Sequence, residues 1–168
     1  MIHIYTGNGK GKTTAALGLA LRASGAGLKV YIGQFIKGKN YYSELKALKN
    51  LKNITLEQFG RGCFICGKPN KEEIKMARKG WERIKKIIAR KTYDMVILDE
   101  INVAVKLGLL AQREVAEIMK KNPARCELIL TGRYAHPEFL KLADLVSEIK
   151  EKKHYYRRGK KARKGIEY

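Results

Sequence analysis

Residues 6 to 14 read TGNGKGKTT, directly after the short apolar stretch from Ile2 to Tyr5 and directly before the Ala/Leu-rich run from Ala15 to Ala23. A strand that feeds a glycine-rich turn opening a helix brings backbone N–H groups and the positive helix end to one point, so a polyphosphate is its natural guest. The spacing departs from the usual GxxxxGK[ST] loop. Counting back from Gly11, Lys12 and Thr13 puts Thr6 where the first glycine belongs, and Gly7 comes one residue late. Gly9 and Gly11 still permit close backbone approach, Lys12 can reach phosphate oxygens, and the Thr13 hydroxyl can ligate Mg²⁺. Nucleotide binding by an altered loop is the expectation.

The rest of the chain alternates in a way that suits such a loop. Val30 to Ile36 reads as a second strand, Ser43 as the cap of a short helix from Glu44 to Leu51, and Ile54 to Phe59 as a third strand. Asn70 with Glu73 forms a capping box, after which Ile74, Ala77, Trp81, Ile84 and Ile88 recur at spacings of three and four. That is one buried helix face, with Trp81 as core. Met95 to Leu98 is a continuous apolar run ending in Asp99 and Glu100, and Glu127 to Leu130 repeats the pattern before Thr131, Gly132 and Arg133. Such runs are central parallel strands whose C-terminal ends meet the ligand. A helix at Pro137 to Ala143 and a strand at Leu145 to Ile149 follow. The expected fold is α/β: a P-loop NTPase (RecA-like) three-layer architecture with a mostly parallel sheet of about six strands. One nucleotide-binding domain is expected to span residues 1–168, ending in a basic segment, 150–168.

Bulk properties narrow the function classes. The net charge of +20 suggests nucleic acid at first, but only nine of the 36 Lys and Arg lie in residues 150–168. A surplus spread through the chain fits a solvated surface better than a binding stripe. Three cysteines, an odd number, do not make a disulfide framework. No apolar run approaches the roughly 18 residues that span a bilayer, and a cytoplasmic setting is expected.

Asp99 and Glu100, at the end of an apolar strand beside the loop, are the second half of a nucleotide site, able to hold Mg²⁺ while the metal neutralises phosphate oxygens. Arg133 emerges from the next strand end, where its charged fork can clamp phosphate or stabilise a leaving group. His136 and Pro137 read as a turn and helix start. The pair Cys63 and Cys66 is half of a metal knuckle without obvious further ligands, so unligated thiols are the default. No His–carboxylate pair, GxSxG or HExxH is present to activate an oxygen nucleophile. A reaction with an intrinsically potent nucleophile would not need one.

The loop TGNGKGKTTAALGLALRA, the segment VILDEINVAVKLGLL, the stretch LILTGRYAHPE followed by LADLVSEI, and the ending KARKGIEY together resemble the P-loop type of ATP:corrinoid adenosyltransferases. The resemblance runs through nearly the whole chain. It implies transfer of the 5′-deoxyadenosyl group of ATP to a Co(I) corrinoid, with release of triphosphate, in adenosylcobalamin biosynthesis or salvage. Co(I) is then the nucleophile and ribose C5′ the electrophile, so no general base is required. It also implies ATP lying in the loop in the reverse of the usual sense, Mg²⁺, a homodimer and a separate reducing flavoprotein.

By position, Thr6, Gly7, Asn8, Gly9, Lys10, Gly11, Lys12, Thr13 and Thr14 would bind ATP, with Lys12 countering triphosphate charge. Thr13, Asp99 and Glu100 would hold Mg²⁺, Lys12 and Arg133 would act catalytically, and Cys63, Phe64 and Asn102 are candidate corrinoid contacts. Aromatic residues that pack on the corrinoid in the family are reduced here to Phe64 after Phe59, and the basic tail from His154 onward is expected to cover the site. The competing reading is a nucleic-acid-stimulated ATPase with a RecA-like core; a third is a carrier that holds adenosylated corrinoid without turnover.

Overall fold

A computed structural model describes residues 1–38, 42–62 and 67–168. Six strands form one sheet: β1 (Ile2–Thr6), β2 (Val30–Phe35), β3 (Ile54–Phe59), β4 (Met95–Asp99), β5 (Glu127–Thr131) and β6 (Leu145–Glu148). Their order is β3-β2-β4-β5-β1-β6 and every pairing is parallel. The architecture is a RecA-like P-loop fold, and its sheet is more uniform than the mostly parallel one expected. Each crossover carries the chain back over a face of the sheet, so all six C-terminal ends share one edge. Register at that edge sets Gln34 beside Asp99 and Tyr5 beside Thr131.

Helices α1 (Lys12–Gly25) and α2 (Ser43–Leu48) follow β1 and β2, and α3 (Lys71–Arg90) follows β3. Between β4 and β5 lie α4 (Ile101–Lys106) and α5 (Gln112–Lys120), and α6 (Pro137–Leu142) precedes β6. Two apolar layers sandwich the sheet. On one face Ala16, Ala20 and Ala23 of α1 pack with Val30, Ile32, Ile97 and Ile129; their small side chains let the helix lie close to the strands. On the other face Ala77, Trp81, Ile84 and Ile88 of α3 join Tyr31, Phe35, Val96, Leu98 and Leu128. All five residues of β4 are buried, as befits a strand covered on both sides.

The Asn70–Glu73 capping box forms as the sequence predicts: the Asn70 side chain accepts from the Glu72 and Glu73 N–H groups, and the Glu73 carboxylate accepts from Asn70 N. Trp81 is fully buried. Ile74 is not part of the buried face; it sits one turn from the helix start and is 37% exposed. Ser43 does not cap α2. Tyr42 holds that position, and Ser43 is the first helical residue, its hydroxyl donating to the Tyr168 carbonyl at 3.0 Å. The short helix stops at Leu48, three residues before the expected end.

Candidate functional site

The phosphate loop sits where β1 hands over to α1, with Gly11 in a left-handed conformation (φ 118°) as the helix N-cap. Lys12 folds back over the loop, its ammonium donating to the Gly9 carbonyl at 2.7 Å. It is 8% exposed, and burial pulls its pKa below the usual lysine value. The loop is braced from outside by the chain leaving β6. Gly9 N–H donates to the Ile149 carbonyl at 2.7 Å, Glu151 N–H donates to the Asn8 side chain at 3.3 Å, and a Cβ on Gly7 would collide with the Ile149 backbone. The glycine at position 7 is therefore set by that close approach as well as by its φ of 94°.

Beneath the loop lies a buried polar floor built on strand ends. Asp99, fully buried, accepts at Oδ1 from the hydroxyls of Thr13 (2.9 Å) and Thr131 (2.7 Å), and at Oδ2 from Gln34 Nε2 (3.0 Å) and Lys37 Nζ (2.8 Å). Lys37 also donates to the Thr13 hydroxyl at 3.1 Å. Burial alone would raise the Asp99 pKa, but the Lys37 ammonium and the hydrogen bonds from Lys37, Thr131 and Thr13 outweigh it and hold the carboxyl below its usual range. Lys37 is shifted reciprocally: burial opposes its charge, yet Asp99 holds the ammonium above the usual value. Gln34 extends the network by accepting from Gln58 Nε2 at 3.0 Å.

Glu100 turns the chain from β4 into α4 with a left-handed backbone (φ 60°), its N–H donating to the Thr131 hydroxyl. Burial and the neighbouring Asp99 charge push its carboxyl pKa up. Two residues on, Asn102 Nδ2 donates to the Gly132 carbonyl at 3.1 Å while its Oδ1, also buried, has no partner among the described residues. Asn102 thus tethers the turn that carries Arg133, which is exposed at the same edge with Tyr134 in a left-handed conformation (φ 63°). Thr6 ties this turn to the loop by accepting from Ala135 N–H at 3.4 Å. His136 caps α6 through Nδ1, as a turn and helix start should. Thr14 is exposed on the first turn of α1.

The tail returns to the loop. Lys10 Nζ donates to Tyr155 Oη (2.6 Å), Glu167 Oε1 (2.8 Å) and the Ile166 carbonyl (3.1 Å), and lies 5.4 Å from the Tyr155 ring centroid. Tyr155 in turn hydrogen-bonds Glu167, and Arg163 stacks on the Tyr155 ring from 5.0 Å. Of the loop's two lysines, one faces inward and one faces the tail.

A model of the family described as "ATP:corrinoid adenosyltransferase BtuR/CobO/CobP" matches residues 1–168. The chain belongs to this family. It is 40% identical to the corrinoid adenosyltransferase of Escherichia coli strain K12 over 169 residues, covering 100% of this chain and 85% of that one. It is 38% identical to corrinoid adenosyltransferase CobA of Salmonella typhimurium strain LT2, with the same coverage. The corrinoid adenosyltransferase of Pseudomonas aeruginosa strain PAO1 is 33% identical over 166 residues, 98% of this chain and 82% of its own.

For a corrinoid adenosyltransferase the site brings together Lys12, Thr13, Asp99, Glu100 and Asn102, with Arg133 on the rim. Cys63 and Phe64 lie outside the described residues, as does Cys66. Cys126 is buried with a thiol pKa pushed up to about 11 by desolvation, so it is an inert core residue. Sequence reasoning missed Lys37 and Gln34. Both stand at the ligand-facing end of a parallel strand, Lys37 one residue past the strand expected from Val30 to Ile36, and a cation there was the signal to follow. Among the described residues no helix is long and apolar enough to cross a membrane.

Proposed function

We propose that this chain performs the reaction its family is described by, moving the 5′-deoxyadenosyl group of ATP onto the cobalt of a Co(I) corrinoid. The cobalt lone pair attacks ribose C5′, a Co–C bond forms, the C5′–O bond breaks, and its electron pair departs on triphosphate. The observation that best supports the reading is the site's division of labour. It gathers cations and loop N–H donors where a polyphosphate would lie, above a floor of oxygen donors, Thr13, Asp99 and Glu100, suited to a metal ion. Lys12, freed from the Gly9 carbonyl, counters the charge that grows on the leaving triphosphate. Loop N–H groups between residues 8 and 14, apart from that of Gly9, which is taken by the Ile149 carbonyl, orient the chain of phosphates so that C5′ faces outward. Arg133 closes the same edge, held by Asn102 through Gly132.

Mg²⁺ fits the floor on chemical grounds: Thr13, Asp99 and Glu100 offer hard oxygen donors, and an ammonium already rests between the first two. Bound there, the metal would supply further charge neutralisation for the triphosphate oxygens. The tail, clasped by Lys10, covers the outer face of the loop. A homodimer, a separate reducing flavoprotein and a cytoplasmic setting belong to the same reading. Incubating the protein with ATP, Mg²⁺ and chemically reduced cobalamin tests it: a light-sensitive alkylcobalamin spectrum is expected. ATP hydrolysis accelerated by RNA or DNA, without that spectrum, would establish the competing ATPase instead.

A further inference from the structure

Lys37 is held in place by more than its ion pair. Its N–H donates to the Phe35 carbonyl two residues back at 2.6 Å, and the residue between them, Ile36, has φ 67°. A three-residue turn of this hand is rare, and a β-branched side chain in it is strained. The turn is pressed from the neighbouring strand end, where Gly60 lies so close that a Cβ on it would overlap the Ile36 backbone. Strain maintained by surrounding structure points to a purpose for what it positions. What it positions is the Lys37 ammonium, 2.8 Å from Asp99 Oδ2 and 3.1 Å from Thr13 Oγ1, with its side chain 14% exposed. The same ammonium lies over the Tyr42 ring, 5.2 Å from its centroid.

We infer that Lys37 is a displaceable stand-in cation: it occupies the position between Thr13 and Asp99 until Mg²⁺ arrives with the nucleotide, and then yields that position. The single negative charge of Asp99, spread over two oxygens that already accept two hydrogen bonds each, together with the Thr13 hydroxyl leaves no lone pairs for a divalent ion while the ammonium stays in place. While no metal is there, the ammonium 2.8 Å from Oδ2 gives the buried Asp99 carboxylate a partner in the position a metal would take. The Tyr42 ring, already in cation–π contact, can keep hold of the ammonium when it leaves Asp99. Lys37 is therefore a positioning residue that makes metal entry depend on nucleotide, and the inference rests on the proposed assignment of Thr13 and Asp99 to the metal.

The test is Mn²⁺ binding in wild type, Lys37→Met and Lys37→Gln, read without ATP by the loss of free-ion electron paramagnetic resonance signal, and with ATP by equilibrium dialysis of the protein against a protein-free Mn²⁺–ATP control. Wild type is expected to bind Mn²⁺ tightly only with ATP. Lys37→Met should bind it without nucleotide on the order of tenfold or more tighter than wild type, since the buried competitor is gone. Its melting temperature should rise with added Mg²⁺ while that of nucleotide-free wild type does not. Lys37→Gln, which keeps a hydrogen-bond donor and guards against a folding failure, should show the same direction with a smaller change. Nucleotide-free affinity in both variants equal to or weaker than wild type would overturn the role of Lys37. If wild type with ATP binds no Mn²⁺, the metal assignment itself fails.

Discussion

The floor and the roof of this site are made by opposite means. The floor, Thr13, Gln34, Lys37, Asp99 and Thr131, is drawn from the ends of three central strands and the start of α1, and each acceptor oxygen of Asp99 has two donors. The roof, residues 154–168, rests on the loop through long side chains around the 3₁₀ turn Tyr155–Arg158. Buried, fully partnered charges are costly to disturb, whereas exposed pairs contribute little to folding. Stability and chemistry are therefore fused in the floor and separable in the roof.

The sharpest way to break this contrast is Asp99→Asn. It should leave Lys37 buried without a counter-charge, lowering unfolding free energy by about 3 kcal/mol, and should also lower adenosyl transfer by roughly 100-fold or more. Denaturant melts and initial rates measured on one preparation would report both. Lys12→Ala comes next: kcat/KM should fall by on the order of 100-fold, with ATP affinity reduced and melting temperature nearly unchanged, as calorimetric titration and thermal melts would reveal. An effect confined to stability would mean Lys12 serves the loop alone.

Asn102→Ala should be intermediate. It releases the Gly132 carbonyl and the Arg133 turn, so a drop in rate of about tenfold is expected for lost positioning, with little change in ATP binding. Lys10→Ala should be smallest for the fold: the tail loses its clasp, the melting midpoint stays within error, and residues 154–168 exchange amide hydrogens faster. The same exchange experiment carries a pH dependence. The hydrogen bond from Lys10, with one from Tyr155, holds the Glu167 carboxyl well below its ordinary value of 4.5. A depressed pKa means that the tail's docking is complete above that ordinary value and is lost as pH falls through the lowered one. Tail protection that faded on raising pH from 5 would contradict the clasp.

The same contrast separates what the chain's letters disclose from what they conceal. Local signals placed the loop, the six strands and the Asn70 capping box, because apolar runs, glycine turns and cap residues act within a few positions. They did not reveal α4 and α5 between Asp99 and Glu127; α4 is only six residues long, too short to establish a period. Asp99 was legible as an acidic strand end. That Lys37 meets it depends on β2 lying beside β4 in a particular register, 62 residues apart in the chain. Ser43 looked like a cap and instead meets the chain end at Tyr168, a contact no local pattern encodes.

In the proposed reaction triphosphate leaves whole. This is tested most directly by phosphorus NMR of the products formed from ATP, Mg²⁺ and chemically reduced cobalamin with the wild-type protein. Inorganic triphosphate is expected in one-to-one ratio with alkylcobalamin, and no ADP above the protein-free control. ADP and phosphate as the enzyme-dependent products would contradict that reaction.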